Sequence, residues 1–319
     1  MSEPQLRIVT VAGTPGWLVS AQELRSAFER CGARTELLEA PAAPEVRTLM
    51  ATDFVQARIA RQAVAHADDG VPLVYCSITV ALLWPRPGAI WLDALAAENR
   101  PGRHGLWQRA LERRRLAQAP LVLTMSERSL APLGEAAPEA VVVPVPVERS
   151  GPIDAPRDIT AVTYAGYPAK KRLDVVLEAW HAARREGETL VVGGGDGAPQ
   201  PGVRFAGRLP RAEYRALVRH SRLFLAAPRI EEYGTAQLEA LADGCLLVTT
   251  PGAGPYPARE LAQRIDPRLV SDELAGAIRV ALDDPLPGYA SRAAELLTPF
   301  RREAVDRTLR ERVLPALLG

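Results

Sequence analysis

At roughly 150 residues per domain, a chain of 319 residues has room for about two domains. Apolar residues make up 47% and charged residues 24%, with 39 basic side chains against 38 acidic ones and a formal net charge of +1. That composition excludes a disordered chain, and it excludes a surface built on clustered cations to hold a nucleic acid backbone.

No stretch reaches the ~18 consecutive apolar residues of a membrane span, and the amino-terminal MSEPQLRIVTVAG lacks the regions of a secretory signal, so a cytoplasmic protein is expected. Residues 6–12, LRIVTVA, form the apolar run of a buried strand that ends at Gly13. After the loop TPGW, AQELRSAFERCG has helical spacing and is closed by Gly32. RTELLEA is a second strand, DFVQARIARQAVAH a helix, VPLVYCS and GAIWL strands, GLWQRALERRRLAQA a basic helix and LVLTM a strand. This alternation predicts a parallel, doubly wound α/β sheet. The basic stretch 109–115 reads as a solvated face laced with ion pairs, the alternative being peripheral contact with an anionic membrane surface.

Residues 141–156, VVVPVPVERSGPIDAP, hold four prolines in sixteen positions and no period, which predicts a linker. The alternation then restarts with ITAVTYAG, KRLDVVLEAWHAARREG, TLVVGGG, VRFAG, PRAEYRALVRHS, RLFLAAP, TAQLEALADG and LLVTT. Two Rossmann-like domains are therefore expected, over 1–147 and 157–298, with an amphipathic carboxyl-terminal helix over 299–319 crossing back to the first. Ligands of such sheets sit beyond the carboxyl ends of the strands, here in a cleft between the lobes.

Cys31, Cys76 and Cys245 show no CxxC and read as buried small apolar residues; no His, Asp or Glu spacing suggests a metal site. Among the 39 basic residues only two are lysines, the adjacent Lys170 and Lys171. The plain reading is a GC-rich genome that writes arginine wherever a cation serves, with the lysine pair surviving by accident. The lysine pair between a strand-end glycine loop and a helix suits a point where compact ammonium groups meet phosphate oxygens.

The segment 223–250, LFLAAPRIEEYGTAQLEALADGCLLVTT, reads strand, loop, helix, strand. Its loop carries Glu231 and Glu232 and ends in Gly234, where a missing Cβ lets backbone approach a ligand. Thr235 opens a helix whose free amides suit a diphosphate. Glu239, in an E-x7-E spacing from Glu231, is placed to face the same cleft while Leu238 and Leu241 pack inward. The two carboxylates suit hydroxyls of a sugar and of a ribose, although acidic residues near a helix start also simply complement its dipole.

With YAGYPAKKRLDVVLEAW, VVGGGDGAP and VRFAGRLPRAEY in the same order, the chain resembles the retaining nucleotide-sugar glycosyltransferases of the GT-B fold, family 4 (group 1). The resemblance runs over most of 159–284 and is mainly topological before residue 150. It implies that Glu231 acts near the donor sugar, Glu239 on the ribose, and the backbone around Tyr233, Gly234 and Thr235 on the distal phosphate. It further implies phosphate contacts from Lys171, with Lys170 beside it, a first-lobe glycine loop at Gly13 and Gly16, and a base pocket around Gly207, Arg208 and Leu209. Two positions depart from the family: Gly166 is followed by Tyr167 instead of arginine, and the first-lobe histidine is replaced in a stretch offering Leu92 and Asp93. Asp93 is the candidate substitute as a hydrogen-bond acceptor, with a cap as the plain alternative, and the polar run Glu98, Asn99, Arg100, Arg103, His104 is either an acceptor-side loop or a solvated connector.

The expected activity is therefore that of a hexosyltransferase-like enzyme. It moves a sugar from a nucleoside diphosphate sugar to a hydroxyl acceptor with retention, and needs neither metal nor cofactor. The competing reading is a noncatalytic nucleotide-sugar-binding homologue. A nicotinamide dehydrogenase would want GxGxxG after the first strand, where this chain has AGTPGW.

Overall fold

Parallel strands covered on both faces need not alternate polar and apolar residues, and the continuous apolar runs of this chain become such strands. The computed structural model describes residues 3–12, 15–42, 46, 49–67, 70–92, 94–96, 102, 105–130, 133, 139–152, 156–231, 233–253 and 256–319. The chain divides into two units, residues 1–146 with 302–319, and residues 147–301.

The first unit runs β1 (Leu6–Val11), α1 (Pro15–Arg30), β2 (Thr35–Ala40), α2 (Leu49–Ala65), β3 (Leu73–Tyr75), α3 (Ile78–Ala81), β4 (Ala89–Leu92), α4 (Leu106–Gln118), β5 (Val122–Thr124) and β6 (Ala140–Val142). Its strands pair in parallel in the order β2-β1-β3-β4-β5-β6. Every residue of β1 and β4 is buried, as the runs LRIVTV and AIWL require. The predicted linker starts too early by this account. Val141 and Val142 belong to β6, because the β-branched run before the first proline can still donate to the ladder, and the Trp91 indole fixes the strand's exit by donating to the Val143 carbonyl at 2.9 Å.

The second unit runs β7 (Ile159–Tyr164), α5 (Pro168–Lys171), α6 (Leu173–Ala183), β8 (Leu190–Gly193), β9 (Val203–Gly207), α7 (Arg211–Arg219), β10 (Ser221–Ala226), α8 (Thr235–Ala242), β11 (Leu246–Thr249), α9 (Pro257–Ile265), α10 (Leu274–Asp283) and α11 (Tyr289–Leu296). The sheet order is β11-β10-β7-β8-β9, all parallel. The chain leaves β7 toward β8 and β9, then returns to β10 on β7's other side. The order therefore reverses between β7 and β10, and the crevice outside the carboxyl ends of those two strands is where such a sheet takes ligands.

The last helical segment, α12 (Arg302–Thr308), a π turn (Leu309–Val313) and α13 (Leu314–Leu318), belongs to the first unit, where Arg30 at the end of α1 donates to both oxygens of Asp306 at 2.8 Å. Cys76 and Cys245 are buried; Cys31 is only half-buried, because it follows the last turn of α1 and its thiol donates to the Asp306 carbonyl at 3.3 Å. No helix among the described residues is long and apolar enough to cross a membrane.

Within the second unit α7 and α8 are joined by charges. Arg211 and Arg215 lie one turn apart on α7, and Glu239 and Asp243 lie one turn apart at the end of and just beyond α8. Arg215 donates to Asp243 Oδ2 from Nε at 3.1 Å and from Nη2 at 2.8 Å. Ser150, within the proline-rich segment, adds its backbone amide at 2.7 Å and its hydroxyl at 2.9 Å to the same carboxylate. That segment thus contributes two of the four donors on one buried acid. Removing one member of a buried ion pair typically costs about 3–5 kcal/mol because the other charge stays behind. Asp243→Ala is expected to lower unfolding stability in urea by that order, and Asp243→Asn by less. A loss under about 1 kcal/mol for the alanine variant would contradict this role.

Candidate active site

The reversal point of the second sheet opens into a hollow continuous with solvent. Thr163 and Tyr164 from the end of β7, Phe224 to Pro228 from β10 and its exit, and Lys171, Glu231, Gly234, Ala236 and Gln237 line it. Each is placed by local rules. Pro168 opens the one-turn helix α5, compatible with a missing amide hydrogen at a first helical position, and Lys171 ends it. The loop after β10 is tied to this turn by the Arg229 amide, which donates to the Lys170 carbonyl at 2.9 Å. Across this junction Lys171 Nζ donates to Glu231 Oε2 at 2.5 Å. The carboxylate is mostly buried and the ammonium half-buried, so the pair is a desolvated contact between one cation and one anion at the mouth of the hollow.

Gly234 caps α8 with φ +82°, a left-handed conformation that disfavours any residue with a Cβ. Space points the same way: a Cβ there would lie 2.7 Å from Gln237 Oε1 and 3.0 Å from Ala258 and Tyr256. The cap offers no side chain to the first-turn amides; that of Gln237 donates to the Gly234 carbonyl at 3.0 Å, and those of Thr235 and Ala236 have no intrahelical acceptor. With Gly234 and Ala236 on the wall, the helix start and Lys171 supply positive potential, while Glu231 supplies negative potential beside it.

Other residues singled out from the sequence lie elsewhere. Lys170 has an exposed side chain and does not line the hollow; of the two lysines only Lys171 turns in. Tyr233 is buried and packs its ring 6.4 Å from that of Phe300. Thr235 is the first helical residue and half-buried. Leu209 is half-buried in the connection from β9 to α7, after Gly207 and the exposed Arg208. Glu239 is only 5% exposed and does not line the hollow; Arg211 Nη2 reaches its Oε1 at 2.8 Å and Arg215 Nη1 the same atom at 3.2 Å. Burial pushes its carboxyl pKa up, against the pull of Arg215 and Arg211.

Gly16 stands in the first turn of α1, in the other unit. Gly13, Asp93, Glu232 and the run Glu98, Asn99, Arg100, Arg103, His104 lie outside the described residues. Leu92 ends β4 as a buried core residue. Tyr167, which stands where an arginine was expected, precedes α5 and is 58% exposed; Gly166 before it is crowded by the Tyr164 hydroxyl, which a Cβ at 166 would overlap.

Residues 157–284 match the family model described as Glycosyl transferases group 1. The match lies wholly within the second unit, which is therefore similar to a group 1 glycosyl transferase domain. The fold of the chain is the two-lobed GT-B arrangement seen in several solved structures. Sucrose-phosphate synthase from Thermosynechococcus elongatus is 14% identical with a TM-score of 0.74, covering 96% of this chain and 97% of its own. HepE from Anabaena, solved in complex with UDP and glucose, is 15% identical with a TM-score of 0.70, covering 97% and 99%. A trehalose-6-phosphate synthase, studied with bisubstrate glycomimetics for glycosyltransfer with retention, is 13% identical with a TM-score of 0.63, covering 95% and 97%. Among curated proteins no match was found.

Two features of this site were missed in the sequence. Gln237 lines the hollow, yet its position two residues before Glu239 looks like an ordinary core position of an amphipathic helix. The clamp of Arg211 and Arg215 on Glu239 could have been found from the matching R-x3-R and E-x3-D spacings, which put like charges one turn apart on both helices. The glycine at 234 is testable directly. Gly234→Ala forces a strained left-handed conformation costing roughly 1–2 kcal/mol and pushes on Gln237. It should lower urea stability by at least that much and abolish nucleotide-induced thermal stabilisation. A variant of wild-type stability that still responds to nucleotide would contradict this account of the cap.

Proposed function

We propose that this chain is a glycosyltransferase that moves a sugar from a nucleoside diphosphate sugar to a hydroxyl acceptor with retention at the anomeric carbon, and that the hollow at the β7/β10 reversal holds the diphosphate and sugar of the donor. The observation that carries the reading is the Lys171–Glu231 pair beside the uncapped start of α8. A diphosphate brings anionic oxygens that suit both the ammonium and the helix amides. When it takes Lys171, Glu231 loses its partner and gains the sugar's hydroxyls, which donate to it. One exchange thus satisfies every charged group in the hollow.

In the transfer, the bond from the anomeric carbon to the distal phosphate oxygen breaks and a bond from the acceptor oxygen to that carbon forms on the same face. The acceptor's proton passes to the departing phosphate oxygen, so no protein base is required. Charge grows on the diphosphate during this step. Lys171 and the α8 amides are fixed beside the position where it grows and stabilise it without reorganisation. Glu239, held on Oε1 by Arg211 and Arg215, is assigned to the ribose through its other oxygen. Lys170 and the backbone around Tyr233 and Thr235 are assigned to the outer phosphate environment, Leu209 to the base, Gly13 and Gly16 to the phosphates, and Asp93 to the sugar or acceptor hydroxyls. The relatives solved with UDP and glucose and studied for retention support the same donor class and stereochemistry.

The test is a thermal-shift screen with UDP, GDP, ADP and dTDP and their sugars, followed by turnover of the best donor, since a ligand that binds only the folded state raises its apparent stability. Lys171→Ala is expected to reduce turnover about 100-fold or more, the size seen when one preorganised donor is removed from a developing anion. Glu231→Ala should weaken the sugar nucleotide more than the free nucleotide. Wild-type donor affinity and turnover in both variants would refute the assignment.

A further inference from the structure

Gln237 is 3% exposed, lines the hollow, and its amide oxygen Oε1 has no hydrogen-bond partner. An unpaired buried carbonyl costs about 1–3 kcal/mol, so a position of this kind in a ligand cavity calls for a donor from the ligand. The orientation of the amide is set by its surroundings. Burial raises the pKa of the Tyr256 phenol, and the Gln237 side chain counters that rise in part, as an NH2 facing the hydroxyl does; Tyr256 also meets Thr249 Oγ1 at 3.2 Å. The nitrogen faces Tyr256, and the oxygen is the atom without a partner. It lies 2.7 Å from where a Cβ on Gly234 would stand, at the entry of α8.

The hollow therefore carries two kinds of group. Lys171 and the first-turn amides donate; Glu231 Oε1 and Oε2 and Gln237 Oε1 only accept. A phosphate offers its own acceptor oxygens to an acceptor carbonyl and is repelled by it. A sugar hydroxyl donates and is held. We infer that Gln237 is a specificity-determining residue of the donor site, its Oε1 accepting a hydrogen bond from one hydroxyl of the transferred sugar. This rests on the nucleotide-sugar reading above and extends it to a residue between the two glutamates of the motif.

The experiment is a calorimetric cycle on the full chain, with whichever of UDP, GDP, ADP and dTDP binds most tightly as probe, alongside its glucose derivative and the 2-, 3-, 4- and 6-deoxy analogues. Gln237→Met keeps length and apolar volume and removes the acceptor. It should weaken the sugar nucleotide about tenfold, leave the free nucleoside diphosphate within twofold, and match wild type with one of the four deoxy analogues, which thereby names the hydroxyl. Should this variant not fold, Gln237→Asn, which shortens the reach of the same carbonyl, takes its place in the cycle. Equal affinity for sugar nucleotide in variant and wild type overturns the inference. So does an equal loss for the free diphosphate, which means that Gln237 merely supports the helix. A wild-type chain that binds none of the four nucleotides refutes the nucleotide-sugar reading itself, a result distinct from both.

Discussion

A single ammonium against a single carboxylate, Lys171 on Glu231, is the contact around which the second unit's ligand end is organised. It closes the gap between the turn after β7 and the loop after β10, the two strands at which the sheet reverses its order. In a mostly desolvated place neither group tolerates being alone, because burying an unpaired charge costs far more than burying a pair. On the proposed function the pair is a resting arrangement that a ligand bearing both an anion and hydrogen-bond donors replaces without leaving a charge behind. A phosphate alone satisfies the lysine and strands the glutamate; a neutral sugar does the reverse.

The helix that begins at Gly234 adds the second element, and here backbone and electrostatics coincide. The left-handed glycine leaves the first amides without a capping side chain, which keeps the positive end of α8 open, and its missing Cβ makes room for the Gln237 carbonyl. Farther along the same helix, Glu239 and Asp243 are gripped by Arg211 and Arg215 from α7. Those contacts hold α8 against the rest of the unit, so the start of the helix points at a fixed place. Rigid charge is the useful kind in group transfer, since donors that need not reorganise stabilise a developing anion most.

Much of this organisation was legible in the sequence. Continuous apolar runs such as LRIVTV and AIWL can only be strands covered on both faces, and their alternation with helical spacing leaves few options besides parallel α/β units. The lone lysine pair in an arginine-rich chain, together with EEYGTAQLE, pointed to Lys171, Glu231 and Gly234, which meet at the hollow, and also to Lys170 and Glu239, which do not line it. Those signals are local: each depends on residue type and on spacings within one element or one turn.

Other features depend on what stands across space. Nothing in AKK distinguishes Lys171 from Lys170; the one-turn helix rotates one ammonium toward Glu231 and leaves the other side chain exposed. Nothing in TAQLE marks the glutamine as facing a cavity, because helical periodicity says which residues are buried and is silent on whether they meet core or ligand space. The serine of the proline-rich segment becomes a structural donor only because Asp243 lies opposite it, 93 positions along the chain. Residue chemistry and spacing thus determined the kind of fold. Which atoms confront one another was decided by the packing of helices on the sheet, because a side chain's partners are set by distance in space, which sequence separation does not encode.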